Sequence, residues 1–197
     1  MDRTYFLLFF KSHFENLNVH RFWISDEYGP HIYHYGKDGN LISIIQPPDA
    51  IVPRDSTGNL NFTAAEDPAT GRSPNQGTNF ETILPRTILI HCLLYLGFEN
   101  LTLDEATSTL YAMLQSATIQ DGGNFRTTSR HTRLLAWDVS NPSNPVFKGE
   151  WVVPLPVNKN GKTQGCSEIH FVGNNVFLAL SRDGDGRGGD SRTSKYK

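Results

Sequence analysis

Cysteine is scarce in this sequence. Only Cys92 and Cys166 occur in 197 residues, so no disulfide framework can replace a hydrophobic core, and the redox compartment is left open. Basic charge is in no excess either. The 18 Lys and Arg face 20 Asp and Glu, without the electrostatic footprint of a nucleic-acid-binding face. Long apolar runs are missing. The run in the N-terminal MDRTYFLLFFKSHFENLNVH is about six residues, below the roughly 7–15 of a secretory h-region. Lys11, His13 and Glu15 follow it in place of a small-residue cleavage site. The apolar stretch 83–96 carries Pro85, Arg86 and His91 and falls short of the about 20 residues that span a bilayer. Helical periodicity of useful length is absent. What remains, 38% hydrophobic and 11% aromatic residues with 17 Gly and 11 Pro, is globular composition weighted toward strands and turns.

Alternation supplies the elements. RFWIS (21–25), HIYHY (31–35) and LISII (41–45) read as an antiparallel meander, its last two strands joined through Asp38-Gly39, a hairpin signal. The polar stretch 47–77 reads as a long loop. A second group follows: LTL (101–103), TLYAMLQS (109–116), TRLLAWDV (132–139) and KGEWVVPL (148–155). A third comprises SEIHFV (167–172) and VFLALSRD (176–183), turning at Gly173-Asn174-Asn175. Repeated short meanders predict an all-β chain: a partial β-propeller of about two to three blades with long loops, fewer than the four a closed ring needs.

Carboxylates recur where these strands begin or end: Asp26 and Glu27 after RFWIS, Glu99 before NLTL, Glu168 before IHFV, Asp183 after LALSR. In a propeller, such ends converge on one mouth of the channel. Carboxylates gathered there repel unless a proton or cation compensates, and hard oxygen donors favour Ca²⁺ over softer metals. Arg133, Arg182 and His170 are suited to hold an anionic group beside it. Taken singly, each acid is a solvated strand end, His170 is a core histidine, and His31 and His34 are exposed. Recurrence over three groups gives the pattern its functional weight. Other chemistry finds no support. DGDGRGGD has Arg187 at a calcium-loop ligand position and Ser194 where the bidentate glutamate belongs. GCSEI lacks the second glycine of a nucleophile elbow, and neither a zinc-binding HExxH nor a phosphate-cradling loop occurs.

FWISDEYGPHIYHYGKDGNLISIIQPPDAIVP, GFENLTLDEATSTLYAMLQSATIQDGG, RHTRLLAWDVSNP and SEIHFVGNNVFLALSRDGDGRGG together resemble the phytase-like domain family, also described as esterase-like activity of phytase. The resemblance runs in order over most of residues 22–190 and is nearest to fungal members. It implies a β-propeller, export from the cell and a phosphoester hydrolase. It places the family's acidic segments at Asp26 and Glu27 in SDEYGP, Glu99 in GFEN, Glu168 in SEIH and Arg182-Asp183 in SRD. The resulting expectations are Glu99, Glu168 and His170 as catalytic groups, Arg133 and Arg182 as substrate contacts, and Asp26, Glu27 and Asp183 as ligands of Ca²⁺. The expected partner is a small phosphorylated substrate, with no nucleic acid and no membrane span. The alternatives are a non-catalytic propeller binding a ligand at the same mouth, or an inactive shortened product.

Residues 1–21 are read as an unmatched N-terminal segment, and Asn100 stands where the family usually has glycine. Residues 78–96 read as an insertion. They split an Asn-x-Gly-Phe-Glu-Gly-Leu segment into Asn75-Gln76-Gly77 and Gly97-Phe98-Glu99-Asn100-Leu101, and their composition matches nothing around them. The expectation is that they are a retained intron. Sequencing of the transcript is expected to find a message running from the Gly77 codon directly into the Phe98 codon. A message encoding all of 78–96 would remove the idea.

Overall fold

The computed structural model describes residues 22–26, 30–52, 97–118, 121–123 and 127–182. Glu27, Asp183, the segment 78–96 and the glycine-rich DGDGRGGD lie outside the described residues.

The alternating runs form strands. β1 (Phe22–Ser25), β2 (Ile32–Tyr35) and β3 (Leu41–Ile45) make one sheet in that order. β4 (Phe98–Asp104), β5 (Thr109–Leu114), β6 (His131–Asp138) and β7 (Val146–Pro154) make a second, and β8 (Gly165–Gly173) pairs with β9 (Val176–Arg182) in a third. Every pairing is antiparallel. The chain is all-β as its pattern predicts, with a short 3-10 turn at Asp49–Ile51 inside the stretch read as loop. Asn174 and Asn175, at φ 50° and 60°, close the β8–β9 hairpin. Two positive φ values in a two-residue turn match the twist of the flanking strands.

The strand β5 is buried on both faces. Leu110, Ala112 and Leu114 join Phe98, Leu101, Leu135 and Trp137 against Ile32 and Ile45 of the first sheet. Met113 joins Leu134 and Leu155 against Cys166 and Ile169 of the third, with Tyr111 and Phe177 alongside. Successive side chains of a strand point to opposite faces, so one short strand feeds two cores. Aromatic rings reinforce each: Phe98 meets Trp137 edge-on at 6.0 Å, and Tyr111 stacks on Phe171 at 5.7 Å. The sheets thus follow one another face to face in chain order, as successive propeller blades do.

His34, expected at the surface, is fully buried and stacks on Trp23 with ring centroids 4.2 Å apart. The reason is periodicity: Ile32 and His34 share the inward face of β2. Exposed apolar residues lie at the outer strand β7 (Phe147, Trp151, Val152) and on the outward face of the third sheet (Val172, Leu178, Leu180).

Truncation at the shared strands separates core from rim. Phe98→Ala is expected to cost about 3–5 kcal/mol in a urea unfolding titration. Val146→Ala, at an exposed site, is expected to stay within about 0.5 kcal/mol. Equal small effects would place the core elsewhere.

Candidate functional site

Several strand ends meet at one end of the stack. Backbone hydrogen bonds tie them together: Phe98 N–H donates to Asp26 O at 3.0 Å, Gln115 N–H to Gly97 O at 3.3 Å, and Cys166 N–H to Gln115 O at 2.9 Å. Two pairing irregularities fall beside these bonds. The β4–β5 register shifts between Phe98 and Asn100, leaving Glu99 as the extra residue. The β8–β9 register shifts between Cys166 and Glu168, leaving Ser167 as the extra residue. A β-bulge breaks strict alternation and re-aims the side chain it carries.

Arg182, the last residue of β9, reaches both bulges. Its Nη2 donates to Glu99 Oε1 at 3.1 Å and its Nε donates to Ser167 Oγ at 2.6 Å. The Arg182 and Glu99 side chains keep only 18% and 14% of their exposure. Glu99 Oε2 is buried and accepts no hydrogen bond among the described residues. An acceptor in that condition costs about 1–3 kcal/mol until it meets a donor.

Glu168 stands next to the second bulge, its Oε1 accepting from Ile169 N–H at 3.0 Å. Burial pushes its carboxyl above the ordinary glutamate value. The Ile169 N–H opposes that rise and the Glu99 charge adds to it. Burial likewise pushes the Cys166 thiol up to about 12, with both glutamates contributing. Cys166 is therefore a buried weak donor rather than a nucleophile. Its Sγ donates to Asn100 Oδ1 at 3.4 Å and to Glu168 O at 3.3 Å. Asn100 is itself fully buried, its Nδ2 donating to Met113 O at 2.9 Å and Cys166 O at 3.2 Å.

The structure brings together three residues expected from sequence: Glu99, Glu168 and Arg182. Asp26 adjoins them through its carbonyl, and its Oδ2 accepts from the Tyr33 hydroxyl at 3.4 Å. The two glutamates, read as strand-end residues, lie inside β4 and β8, where bulges rather than ends aim them. His170 is exposed, one pleat past Glu168 and opposite Leu178. Arg133 belongs to another network. Its Nε and Nη2 clamp both oxygens of Asp121 at 2.8 and 2.7 Å, and its Nη1 donates to Glu150 Oε1 at 2.7 Å. Burial favours the neutral form of Asp121, but hydrogen bonds from Arg133 and Thr118, with the Arg133 charge, hold it below the usual aspartate value.

Ser167 and Cys166 carry no functional motif, and the sequence marks Asn100 only as a departure from the family's usual glycine, so none of the three stands out as a site residue. A signal exists in the spacing. Inward-facing residues fall at 98, 101 and 103 in β4 and at 166, 169 and 171 in β8, a step of three and then of two that marks a bulge. Among the described residues, no group of three or more His, Cys, Asp or Glu is arranged to hold a metal ion. No helix among them is long and apolar enough to cross a membrane.

Comparison with known proteins places these features in context. The model of the family described as "Phytase-like: Esterase-like activity of phytase" matches residues 14–196. A protein of Arthroderma benhamiae, described as an uncharacterized secreted protein, is 35% identical over 199 residues, which cover 89% of this chain and 35% of that protein. The chain thus spans about a third of the length of this curated relative. No solved structure matches.

Two of the shifted carboxyls, Glu168 and Asp121, give opposite pH signatures. Glu168, raised in the fold, binds its proton more tightly folded than unfolded, so it subtracts stability as pH climbs through and above the ordinary glutamate value. Thermal melts of Glu168→Gln are expected to gain on the parent as pH rises above the ordinary glutamate value of about 4.3, and to keep that gain at neutral pH. Asp121, depressed in the fold, stabilises at neutral pH and loses that contribution as pH falls through its folded value. Asp121→Asn is therefore expected to cost most near neutrality and least in acid.

Proposed function

This chain belongs to the phytase-like family, and on that premise we propose that it forms part of a secreted phosphoester hydrolase whose working groups sit at the paired bulges. The observation that carries the reading is Arg182 bridging Glu99 and Ser167 beside a second, half-buried glutamate. A guanidinium has five donors in a planar fork. Arg182 commits some of them to Glu99 and Ser167, and the rest suit phosphoryl oxygens. Glu168, held toward its protonated form by burial, donates a proton to the leaving oxygen. Glu99, through its unpartnered Oε2, accepts one from the attacking water. Two carboxyls in environments that separate their roles are the usual basis of acid–base assignment. His170 lies at the exposed margin and Arg133 in its own ion-pair network, and neither is needed for these steps. Export is supported by the description of the Arthroderma relative as secreted.

Calcium dependence is part of the same proposal, with Asp26, Glu27 and Asp183 as the residues that would hold Ca²⁺. The described residues alone do not make a cation cage, so no step is routed through the metal. When bound, the ion would offset carboxylate and phosphate charge.

The test is hydrolysis of p-nitrophenyl phosphate and phytate by the purified chain, with Ca²⁺ or with chelator. Glu168→Gln is expected to lower kcat by about 10²–10⁴-fold, and Arg182→Ala to raise KM. Turnover surviving both changes would remove the assignment. Phosphate binding without turnover in the parent would instead identify a binding module. A melting temperature raised by Ca²⁺ in the parent but not in Asp26→Asn is the expected sign of the metal, and no rise in the parent would remove calcium from the reading.

A further inference from the structure

The two bulges belong to different sheets that share no ladder pairing, yet Arg182 bonds to both. Something must fix the distance between them to better than a hydrogen bond's tolerance. Arg182 cannot do this itself, because a long flexible side chain follows its acceptors rather than setting them. The cores cannot do it sharply either, since apolar contact has no directional preference, and the bonds from Cys166 N–H to Gln115 O and from Phe171 N–H to Thr102 Oγ1 hold β8 to the middle sheet without reaching the bulge at Glu99.

Asn100 occupies the decisive position. It immediately follows the bulge residue Glu99, and its Nδ2 donates to the carbonyl of Cys166, the peptide group that leads into the bulge residue Ser167. The same nitrogen donates to Met113 O on β5, and Oδ1 accepts from Cys166 Sγ. Every polar atom of the side chain is used, the residue is fully buried, and its partners lie on both neighbouring strands. We infer that Asn100 is the positioning residue of this site: its amide locks the bulge of β4 to the bulge of β8, and so sets Glu99, Ser167 and Glu168 about Arg182. The inference deepens the hydrolase reading and rests on it for its meaning, but its geometry can be tested apart from turnover.

The readout is the titration of the Glu168 carboxyl in the full 197-residue chain, labelled with ¹³C-glutamate and assigned by the resonance lost in Glu168→Gln. Among the described residues, the charged and titratable groups that act on that carboxyl are Glu99 from β4, itself paired with Arg182 of β9, and Cys166 on its own strand. In Asn100→Ala the strands separate, water reaches Glu168 and the Glu99 charge recedes, so the midpoint is expected to fall toward the ordinary glutamate range. Thr132→Val is the control. The Thr132 hydroxyl is a comparable buried donor, bonding Leu114 O and Ser116 O at 2.7 and 3.0 Å without touching β8. It is expected to lower the melting temperature and leave the Glu168 midpoint in place. Should Asn100→Ala not fold, Asn100→Ser, which keeps a shorter donor, carries the same expectation.

A folded Asn100 variant with an unmoved midpoint would overturn the inference. So would an equal shift in Thr132→Val, which would show general loosening. Hydrolysis measured on the same samples separates the two readings. A midpoint shift in a chain that never hydrolyses phosphate esters upholds the lock and removes the hydrolase. Turnover with an unmoved midpoint upholds the hydrolase and removes the lock.

Discussion

A strand without a solvent side constrains the rest of this structure. Because β5 sends Leu110, Ala112 and Leu114 into one core and Tyr111 and Met113 into the other, its register against β4 and β6 has a single acceptable value. A slip of one residue would exchange the two sets and leave both cores mismatched. With register pinned there, β4 and β6 are pinned by pairing, and the first and third sheets by what β5 and its neighbours present to them. The polar groups that approach these cores do so under strict conditions. Thr102 accepts from Phe171 N–H at 3.0 Å and Thr132 donates to two carbonyls, so both of these buried hydroxyls are partnered, as their low-dielectric surroundings require.

The site follows from the same constraint. In a sheet buried on both faces, strict alternation offers no direction for a charged side chain except into a core. A bulge supplies one, by adding a residue that belongs to neither face. Glu99 and Ser167 are those residues. The irregularity lets an ion pair exist at the end of the stack without displacing Phe98 or Ile169 from theirs. Arg133 uses a different escape. It lies on β6 facing the outer strand, where Asp121 and Glu150 both reach it.

Much of the fold was legible because period-two alternation is a direct image of two-faced burial. VFLALSR and TLYAML become strands close to where the pattern puts them, and the Asn174-Asn175 turn needs positive φ that asparagine tolerates. The start of β4 was harder. Phe98-Glu99-Asn100 breaks the alternation, and a reading tuned to that period begins the strand at Leu101, three residues late. The same break hid the reason Glu99 points where it does. Of the site, the charged members were visible by residue type. Asn100 and Ser167 were not, because their roles depend on a contact across 66 residues of sequence and on a partner 15 residues away, and no local pattern encodes either distance. His34 was misplaced for a simpler cause: polarity suggested surface, while its parity with Ile32 already assigned it to the interior.

The pairing of Glu99 with Arg182 joins residues 83 positions apart, and a ribosome delivers them in that order. The β4–β5 hairpin can assemble as soon as it emerges, since its contacts are local. Glu99 then waits in water until β9 has been translated and has laid Arg182 beside it. Closing so long a loop costs entropy that local contacts never meet, so the ion pair forms after the local hairpin rather than with it. Vectorial synthesis therefore makes the chemistry of this site conditional on the arrival of β9.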